Sequence, residues 1–182
     1  MYFKKLIGKK CYLSPVDVND VEIFTEWLND IEVLINLDTY AKNINVIERK
    51  TILENISKEH HYSIIDLEKN EPVGKCAFTD IDHLNQSGEI GIYIGNKNYW
   101  NKGYGTEALI LLLDYGFKAL NFHNIQLKVY SFNERAIKSY EKIGFKIFGK
   151  RREALLRGKE RYDIIHMDIL YNEYYEKNNV RD

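Results

Sequence analysis

The sequence predicts an α+β fold in which a mixed β-sheet has helices on both faces. Three observations predict it: a strand and two helices precede three antiparallel strands, a helix–strand–helix run follows them, and a hairpin closes the chain. Parallel strands need a long crossover such as a helix, whereas hairpin strands are antiparallel. The order of elements therefore predicts a sheet that contains both directions.

The early elements are set by apolar spacing and turn residues. Asp17 or Asn19 can cap a helix whose apolar residues recur at helical spacing, and Pro15 ends the strand before it. The run at 68–72 has turn composition and joins two strand-like runs into a hairpin. The predicted elements are a strand at 10–14, a helix ending near 29, a helix at 46–57, and strands at 62–67 and 73–80.

The later elements alternate between strand and helix. A strongly apolar helix is predicted at 103–120, and Gly144 suits the left-handed position that ends the following helix. The predicted elements are strands at 89–95 and 125–130, helices at 103–120 and 133–143, and strands at 146–156 and 161–170.

The chain length and composition predict one globular domain. The 182 residues are 45% hydrophobic and 29% charged, with two prolines. These proportions are those of a folded protein and not of a disordered chain. We expect the domain to span 1–171 and the polar residues 172–182 to form a fraying tail.

The charge balance argues against nucleic acid and membrane partners. There are 26 basic and 27 acidic residues, which give a net charge of -1. Such a chain has no global field to hold it on a polyanion, so any anion site must be local. Basic residues at 150–161 are interleaved with Glu153 and Glu160, which favours a solvated face.

Cysteine usage and the amino-terminal residues predict a cytoplasmic protein. Cys11 and Cys76 lie in apolar strand-like runs and are expected to be unpaired thiols. Residues 1–7 have no apolar core of a signal peptide, and no run approaches the length of a membrane span.

The pair His60–His61 diverges on a strand, so no metal site is expected.

The run at 99–108, Y-W-N-K-G-Y-G-T-E-A, is the most informative segment. Its two glycines allow close approach of a ligand to the main chain, and it opens the apolar helix. The amides and partial positive charge at a helix N-terminus bind anions, so the segment can hold a pyrophosphate without a cluster of arginines.

Two other interpretations of this turn stay open. Gly103, Gly105 and Ala108 match the dinucleotide fingerprint, but the turn is too long, the preceding strand belongs to a meander, and no acidic residue ends the next strand. The glycines can also serve only to start a helix. Of the three, the anion site is favoured.

A second constellation lies on the helix at 133–143. Asn133, Ala136, Ile137 and Tyr140 follow the spacing i, i+3, i+4, i+7, which places them on one face. If the strands at 89–95 and 125–130 splay apart, this face lines the gap in which a cofactor arm can lie. An ordinary amphipathic helix with a purely structural role is the alternative, and the position of the helix after the anion turn favours the first.

These residues carry a family resemblance. The turn W-N-K-G-Y-G-T-E-A, the run N-E-R-A-I-K-S-Y-E-K-I-G-F and the order of elements resemble the GNAT superfamily of N-acetyltransferases. Within it, the chain is similar to the branch that contains ribosomal-protein alanine N-acetyltransferases and spermidine N-acetyltransferases. The resemblance runs from about 10 to 170 and implies a GNAT-like sheet whose splayed strand pair holds acetyl-CoA.

The resemblance also implies the site residues. The main chain at 92–94 would pair with the pantetheine arm, and the turn would wrap the pyrophosphate. Trp100 stands where Arg or Gln is usual and Asn101 where glycine is common, so main-chain contacts to phosphate are expected rather than side-chain ones. The implied cofactor-binding residues are Ile92, Tyr93, Ile94, Trp100, Asn101, Lys102, Gly103, Tyr104, Gly105, Thr106, Asn133, Ala136 and Ser139.

Two residues are candidate catalysts for direct attack of an amine on the thioester. Tyr140 takes the general-acid position that the resemblance implies, and a phenol can donate a proton to the departing sulfur. Glu89 lies on the polar face of the alternating strand, together with Tyr93, and is the candidate base, acting through water. A salt-bridged, purely structural Glu89 is the alternative.

The acceptor is less specified than the donor. Acidic residues at 30, 32, 80 and 82 are compatible with a polyamine, and a peptide or protein N-terminus competes with it. A non-catalytic acetyl-CoA sensor or partner-binding module is the alternative from another class. The chain can also be a homo-oligomer.

Overall fold

A computed structural model describes residues 1–178, and it has the predicted alternation of strands and helices. The strands are β1 (Leu6–Ile7), β2 (Cys11–Pro15), β3 (His61–Asp66), β4 (Pro72–Asp82), β5 (Ser87–Ile94), β6 (Asn124–Tyr130), β7 (Lys146–Arg157) and β8 (Glu160–Leu170). The helices are α1 (Val21–Trp27), α2 (Ile31–Leu34), α3 (Val46–Ile56), α4 (Tyr104–Lys118), α5 (Glu134–Ile143) and α6 (Tyr171–Asn178).

The strands form one sheet of mixed direction, as predicted. Its order is β1-β2-β3-β4-β5-β6-β8-β7. β5 and β6 are parallel, and their register runs over three pairs, from Ser87–Asn124 to Glu89–Gln126. The pairs β2–β3, β3–β4, β6–β8 and β7–β8 are antiparallel. The short parallel register agrees with strands that part beyond Glu89.

Residue contacts group the chain into two compact units. The first contains Met1–Phe78 and Ile92–Leu112, and the second contains Thr79–Gly91 and the chain from Leu113 onward. Each unit has its own apolar interior.

The first unit has helices on both faces of its strands. Phe24 of α1 and Leu53 of α3 are fully buried, and Tyr93 of β5 packs against the cluster they form. The Ile94 side chain points the opposite way, toward Gly105 of α4. A Cβ atom at Gly105 would lie 3.6 Å from it. Successive strand residues face opposite sides, so α1 and α3 cover one face and α4 the other.

The second unit is built on cross-strand pairs of buried residues. Ile125 of β6 lies opposite Ile169 of β8, and Leu127 lies opposite Met167 two residues further along. Burial of side chains of this size stabilises a fold by about 1.5–3 kcal/mol each. The alternation of buried and partly exposed residues along β6 is the period-2 pattern that predicts the strand.

Helix α5 begins and ends as its sequence predicts. The Asn133 side chain accepts a hydrogen bond from the Ala136 amide at 3.2 Å and caps the first turn. Gly144 has a φ of +131°, and its amide donates to the Tyr140 carbonyl at 3.1 Å. Because a side chain is strained at such a φ, glycine is the residue that suits this end.

The carboxyl-terminal segment differs from the expected tail. Residues 171–178 form α6, whereas 179–182 lie outside the described residues. Tyr174 is buried, and the centroid of its ring lies 5.3 Å from that of Phe117. Tyr171 and Tyr175 pack against the same phenylalanine, so one apolar face holds a helix whose other residues are polar.

Two further expectations concern thiols and membranes. Cys11 and Cys76 are both free and buried, as predicted. Among the described helices, none is long and apolar enough to cross a membrane.

Candidate active site

The end of β5 and the turn before α4 form a continuous segment in the first unit. The Trp100 indole Nε1 donates a hydrogen bond to the Ile94 carbonyl at 2.8 Å. The amides of Gly95 and Asn96 both donate to the Val73 carbonyl, at 3.0 and 3.1 Å. Trp100 therefore anchors the turn to the strand that precedes it, which explains a tryptophan where the family pattern has a polar residue.

The turn contains two residues in the left-handed region. Asn101 has a φ of +60° and Gly103 a φ of +86°. Helix α4 starts at this turn. Its first main-chain hydrogen bond runs from the Glu107 amide to the Gly103 carbonyl, at 3.0 Å. The amides of Tyr104 and Gly105 precede that bond, and such amides have no partner within a helix. They are the donors that an anion at a helix N-terminus receives.

The Tyr104 side chain belongs to the protein interior rather than to the turn surface. Its hydroxyl donates to the buried carboxylate of Asp66, and its ring meets that of Tyr99 edge to face, with centroids 4.8 Å apart. The Tyr99 hydroxyl donates to Glu71 at 2.5 Å. Both tyrosines fix the start of α4, so Tyr104 can offer a ligand its main chain only.

Lys10 also lies at this site, although no sequence pattern predicts it. Its ammonium group donates to the Lys102 carbonyl at 2.8 Å and lies 3.4 Å from the position of a Cβ on Gly103. The Lys10 amide donates to the Glu107 carboxylate at 3.0 Å. The Lys9 amide donates to the same carboxylate. A positive charge thus stands beside the predicted pyrophosphate position, although Lys10 is distant from the turn in the chain.

Tyr93 lies differently from the sequence expectation. The alternating pattern placed it with Glu89 on a polar face, but its side chain packs against the apolar cluster of α1 and α3. Its hydroxyl is buried, and burial raises the pKa of Tyr93 to about 12. The helices above β5, which the strand's own pattern does not reveal, make this face an interior one.

Tyr140 lies in the second unit, near the end of α5. Its side chain is partly buried, and its ring lies 6.0 Å from that of Phe145, centroid to centroid. Burial raises the pKa of Tyr140 to about 12, and the charge of Arg135 opposes that shift. The phenol therefore stays protonated at neutral pH, which a proton donor requires.

The other predicted residues of α5 lie on the same helix. Ala136 and Ser139 are partly buried, and the Asn133 side chain is used as the helix cap. Asn133 therefore has a structural task in addition to any contact with a ligand.

Glu89 is also in the second unit and is held by an ion pair. Its Oε2 lies 2.8 Å from Nζ of Lys128 on β6, and its side chain is 15% exposed. Its main-chain carbonyl accepts a hydrogen bond from the Thr79 hydroxyl at 3.3 Å. The carboxylate is thus fixed in position at the last register pair of β5 with β6.

The described residues contain no group of three or more His, Cys, Asp or Glu that could hold a metal ion. His60 and His61 do not come together as a pair with a third ligand. The His61 Nε2 lies instead 3.6 Å from the Glu59 carboxylate.

The turn, the strand before it and the capped helix with its tyrosine are the features of one enzyme family. The family model described as "Acetyltransferase (GNAT) domain" matches residues 10–146. The chain belongs to the GNAT acetyltransferase family. Its resemblance to that family, noted above from two sequence runs, is confirmed.

Similar proteins agree with this assignment. The chain is 30% identical over 179 residues to an uncharacterized N-acetyltransferase p20 of Bacillus licheniformis, covering 93% of this chain and 97% of that one. It is 31% identical over 167 residues to the spermidine N(1)-acetyltransferase of Escherichia coli (strain K12), covering 90% and 81%. The GNAT chain described here is accordingly an N-acetyltransferase, an acyltransferase enzyme.

Solved structures show the same fold. A spermidine N-acetyltransferase from Vibrio cholerae, in complex with CoA and spermine, superposes with a TM-score of 0.84 at 22% identity, covering 92% of this chain and 99% of that one. A GNAT acetyltransferase from Bacillus anthracis gives 0.82 at 24% identity, covering 95% and 100%. The α+β GNAT fold is confirmed by these neighbours.

Proposed function

We propose that this enzyme transfers an acetyl group from acetyl-CoA to a primary amine by direct attack on the thioester. The observation that carries the donor assignment is the turn before α4. Two left-handed residues, Asn101 and Gly103, turn the main chain so that the first amides of α4 can meet an anion, and Lys10 adds a positive charge beside them.

The residues present fit a coenzyme A. The pyrophosphate suits the segment 100–106, where main-chain donors are expected to do most of the binding. The end of β5 offers main-chain groups to the amides of a pantetheine arm, although the Ile94 carbonyl already accepts from Trp100. Ala136 and Ser139 of α5 are proposed to line the rest of the arm, with the capping residue Asn133 beside them.

The Lys10 ammonium provides a direct test of the donor site. Lys10→Met is expected to raise the KM for acetyl-CoA about fivefold with little change in kcat, because a charged donor to phosphate is lost. Steady-state kinetics at varied acetyl-CoA measure it. Lys58→Met, which removes an exposed lysine at the end of α3, is the control. An unchanged KM in the Lys10 variant would remove this residue from the site.

Tyr140 is proposed as the general acid and the main chain of 92–94 as the group that polarises the carbonyl. When the amine attacks, the carbonyl oxygen gains negative charge, and amide donors stabilise it. As the C–S bond breaks, the phenol gives its proton to the sulfur, and the phenolate then takes the surplus proton of the acetylated nitrogen, so that a neutral thiol and a neutral amide leave. The raised pKa of Tyr140 keeps this proton in place until that step.

Glu89 is proposed as the base that removes a proton from the incoming ammonium group through water. Lys128 fixes its carboxylate, and a positioned carboxylate is suited to receive a proton. Glu89→Gln is expected to lower kcat/KM about tenfold and to change the shape of its pH profile, because a proton acceptor is lost. The pH–rate profile of the variant is the measurement. If the profile keeps its wild-type shape, Glu89 has the structural role alone.

The acceptor proposed is a polyamine or the N-terminus of a peptide or protein. The similarity to a spermidine N(1)-acetyltransferase of Escherichia coli supports the first of these. The experiment is release of free thiol from acetyl-CoA with spermidine, N-terminal peptides and aminoglycosides in parallel. Binding of acetyl-CoA without turnover on any amine would instead favour a sensor or partner-binding module.

Location and assembly belong to the same proposal. We propose a cytoplasmic enzyme that forms homo-oligomers. A Vibrio cholerae spermidine N-acetyltransferase of the same fold is described as dodecameric, which motivates a measurement of mass by light scattering.

A further inference from the structure

A group of polar side chains lies on the face of the first unit that α1 and α3 cover. We call it the Arg49 cluster, and it consists of Arg49, His61, Ser63, Lys75 and Tyr93. Ser63 of β3 lies directly opposite Lys75 of β4, and His61 is two residues from Ser63 on the same side of its strand. Arg49 comes from α3, where its guanidinium lies 5.9 Å from the centroid of the Phe24 ring.

Four buried atoms of this cluster have no hydrogen-bond partner within residues 1–178. They are Arg49 Nε, His61 Nδ1, Ser63 Oγ and the Tyr93 hydroxyl. Arg49 and His61 are each 8% exposed and Ser63 is fully buried. Buried polar atoms are normally paired, and each exception calls for an explanation. Three such atoms in one cluster with a guanidinium whose own Nε is the fourth indicate a binding site rather than four separate defects.

Among the residues described, the two cations of the cluster lack a compensating carboxylate, although the Glu59 carboxylate lies 3.6 Å from Nε2 of His61. Within the described part of the chain, neither Arg49 nor Lys75 forms an ion pair with a carboxylate. Burial, with Lys75 and Arg49 nearby, lowers the pKa of His61 to about 4, so this imidazole is neutral at pH 7. Burial and Arg49 together lower the pKa of Lys75 to about 8. An anionic ligand would compensate the positive charges of both Arg49 and Lys75.

Arg49 connects the members of the cluster to one another. Its charge acts on His61 and Lys75, as above, and it also opposes the rise in the pKa of Tyr93 that burial causes. Arginine and lysine offer only donors, and the hydroxyls of Ser63 and Tyr93 can donate as well. Such a donor set matches a carboxylate, whose two oxygens accept several hydrogen bonds.

We propose that the Arg49 cluster binds a carboxylate of the acceptor, so that the enzyme acetylates an amine that also carries a carboxyl group. This inference rests on the proposed function, in which the main chain of Tyr93 lies at the thioester. The hydroxyl of the same residue is in the cluster, so an acceptor bound there is held beside the strand that binds the acetyl group. A polyamine, which has only positive groups, would be repelled by Arg49 and Lys75.

The test compares amines that differ only in their carboxyl group. Thiol release is measured with glycine against glycinamide, dialanine against dialaninamide, and 5-aminopentanoate against its amide, with spermidine alongside. We expect kcat/KM to be at least about tenfold higher for the carboxylate in one or more pairs, the effect of one charge-assisted contact. Amides or spermidine as good as every carboxylate would overturn the inference while leaving acetyl transfer intact.

Failure of the proposed function gives a different result. If no amine releases thiol, the same carboxylates and amides are compared by their effect on the melting temperature, because a ligand of the folded state raises it. A rise with a carboxylate and none with its amide keeps the anion site. Equal effects of the two overturn it.

Variants separate ligand binding from a structural role. Arg49→Met and Lys75→Met are expected to abolish the preference for the carboxylate, whereas Lys50→Met, which alters the exposed neighbour on α3, keeps it. Without ligand, the first two variants are expected to melt at the wild-type temperature or above, because an unpaired buried charge is removed. Retention of the preference in both variants, or its equal loss in the control, would refute the assignment.

Discussion

Tyr140→Phe is expected to lower kcat about a hundredfold with little change in the KM for acetyl-CoA, because general acid catalysis is lost while the ring stays in place. The ring contact with Phe145 does not need the hydroxyl, so the fold is preserved. Since the pKa of Tyr140 is about 12, the wild-type enzyme is not expected to lose activity through ionisation of this phenol at any pH below about 11.

The control for this prediction is another tyrosine of the second unit. The Tyr162 hydroxyl bonds to Glu160 beside the last hairpin turn, and Tyr162→Phe is expected to leave kcat unchanged. Steady-state kinetics of both variants, with circular dichroism to confirm folding, decide the matter. A rate within twofold of wild type in Tyr140→Phe would contradict its role as the acid.

Gly103→Val is expected to raise the KM for acetyl-CoA at least tenfold, because a branched side chain at a φ of +86° distorts the turn and crowds Lys10. The left-handed conformation also costs a side-chain-bearing residue about 1–2 kcal/mol, so the free energy of unfolding should fall by a similar amount. Kinetics at varied acetyl-CoA and denaturant unfolding measure the two effects.

Gly158 provides a matched control for that variant. It has a φ of +61° in the last hairpin turn, and a Cβ there would meet no atom within 4 Å. Gly158→Val should therefore lose comparable stability and keep the wild-type KM. If both variants raise the KM equally, the effect comes from general destabilisation and not from the turn before α4.

Local patterns predict most of the fold. The helix at 46–57 is observed as Val46–Ile56, and the glycine that ends α5 does so with a positive φ. Three elements are missing from the prediction: β1 has two residues, α2 has four, and α6 lies where a polar tail was expected. The first two contain little more than one period of an apolar pattern, so periodicity cannot detect them.

The sequence predicts less of the candidate site than of the fold. The turn at 100–106 has a local signature because its glycines and the helix start are adjacent in the chain. Lys10 and Arg49 have none, since each reaches its place through tertiary structure. Tyr93 shows a related limit of sequence patterns. Strand alternation predicts the face of the sheet on which a residue lies, but it does not predict which helices cover that face.

The contacts of Lys10 bear on how the chain can be shortened. The family match begins at residue 10, yet the Gly8 amide closes the tight β1–β2 turn by donating to the Cys11 carbonyl at 2.8 Å, and the Lys9 amide donates to Glu107. A chain trimmed to the match would keep Lys10 and its bonds to Lys102 and Glu107, but it would lose the bonds of Gly8 and Lys9 that brace the same segment. Contacts that brace the turn before α4 thus extend beyond the family match, to the residues just before it.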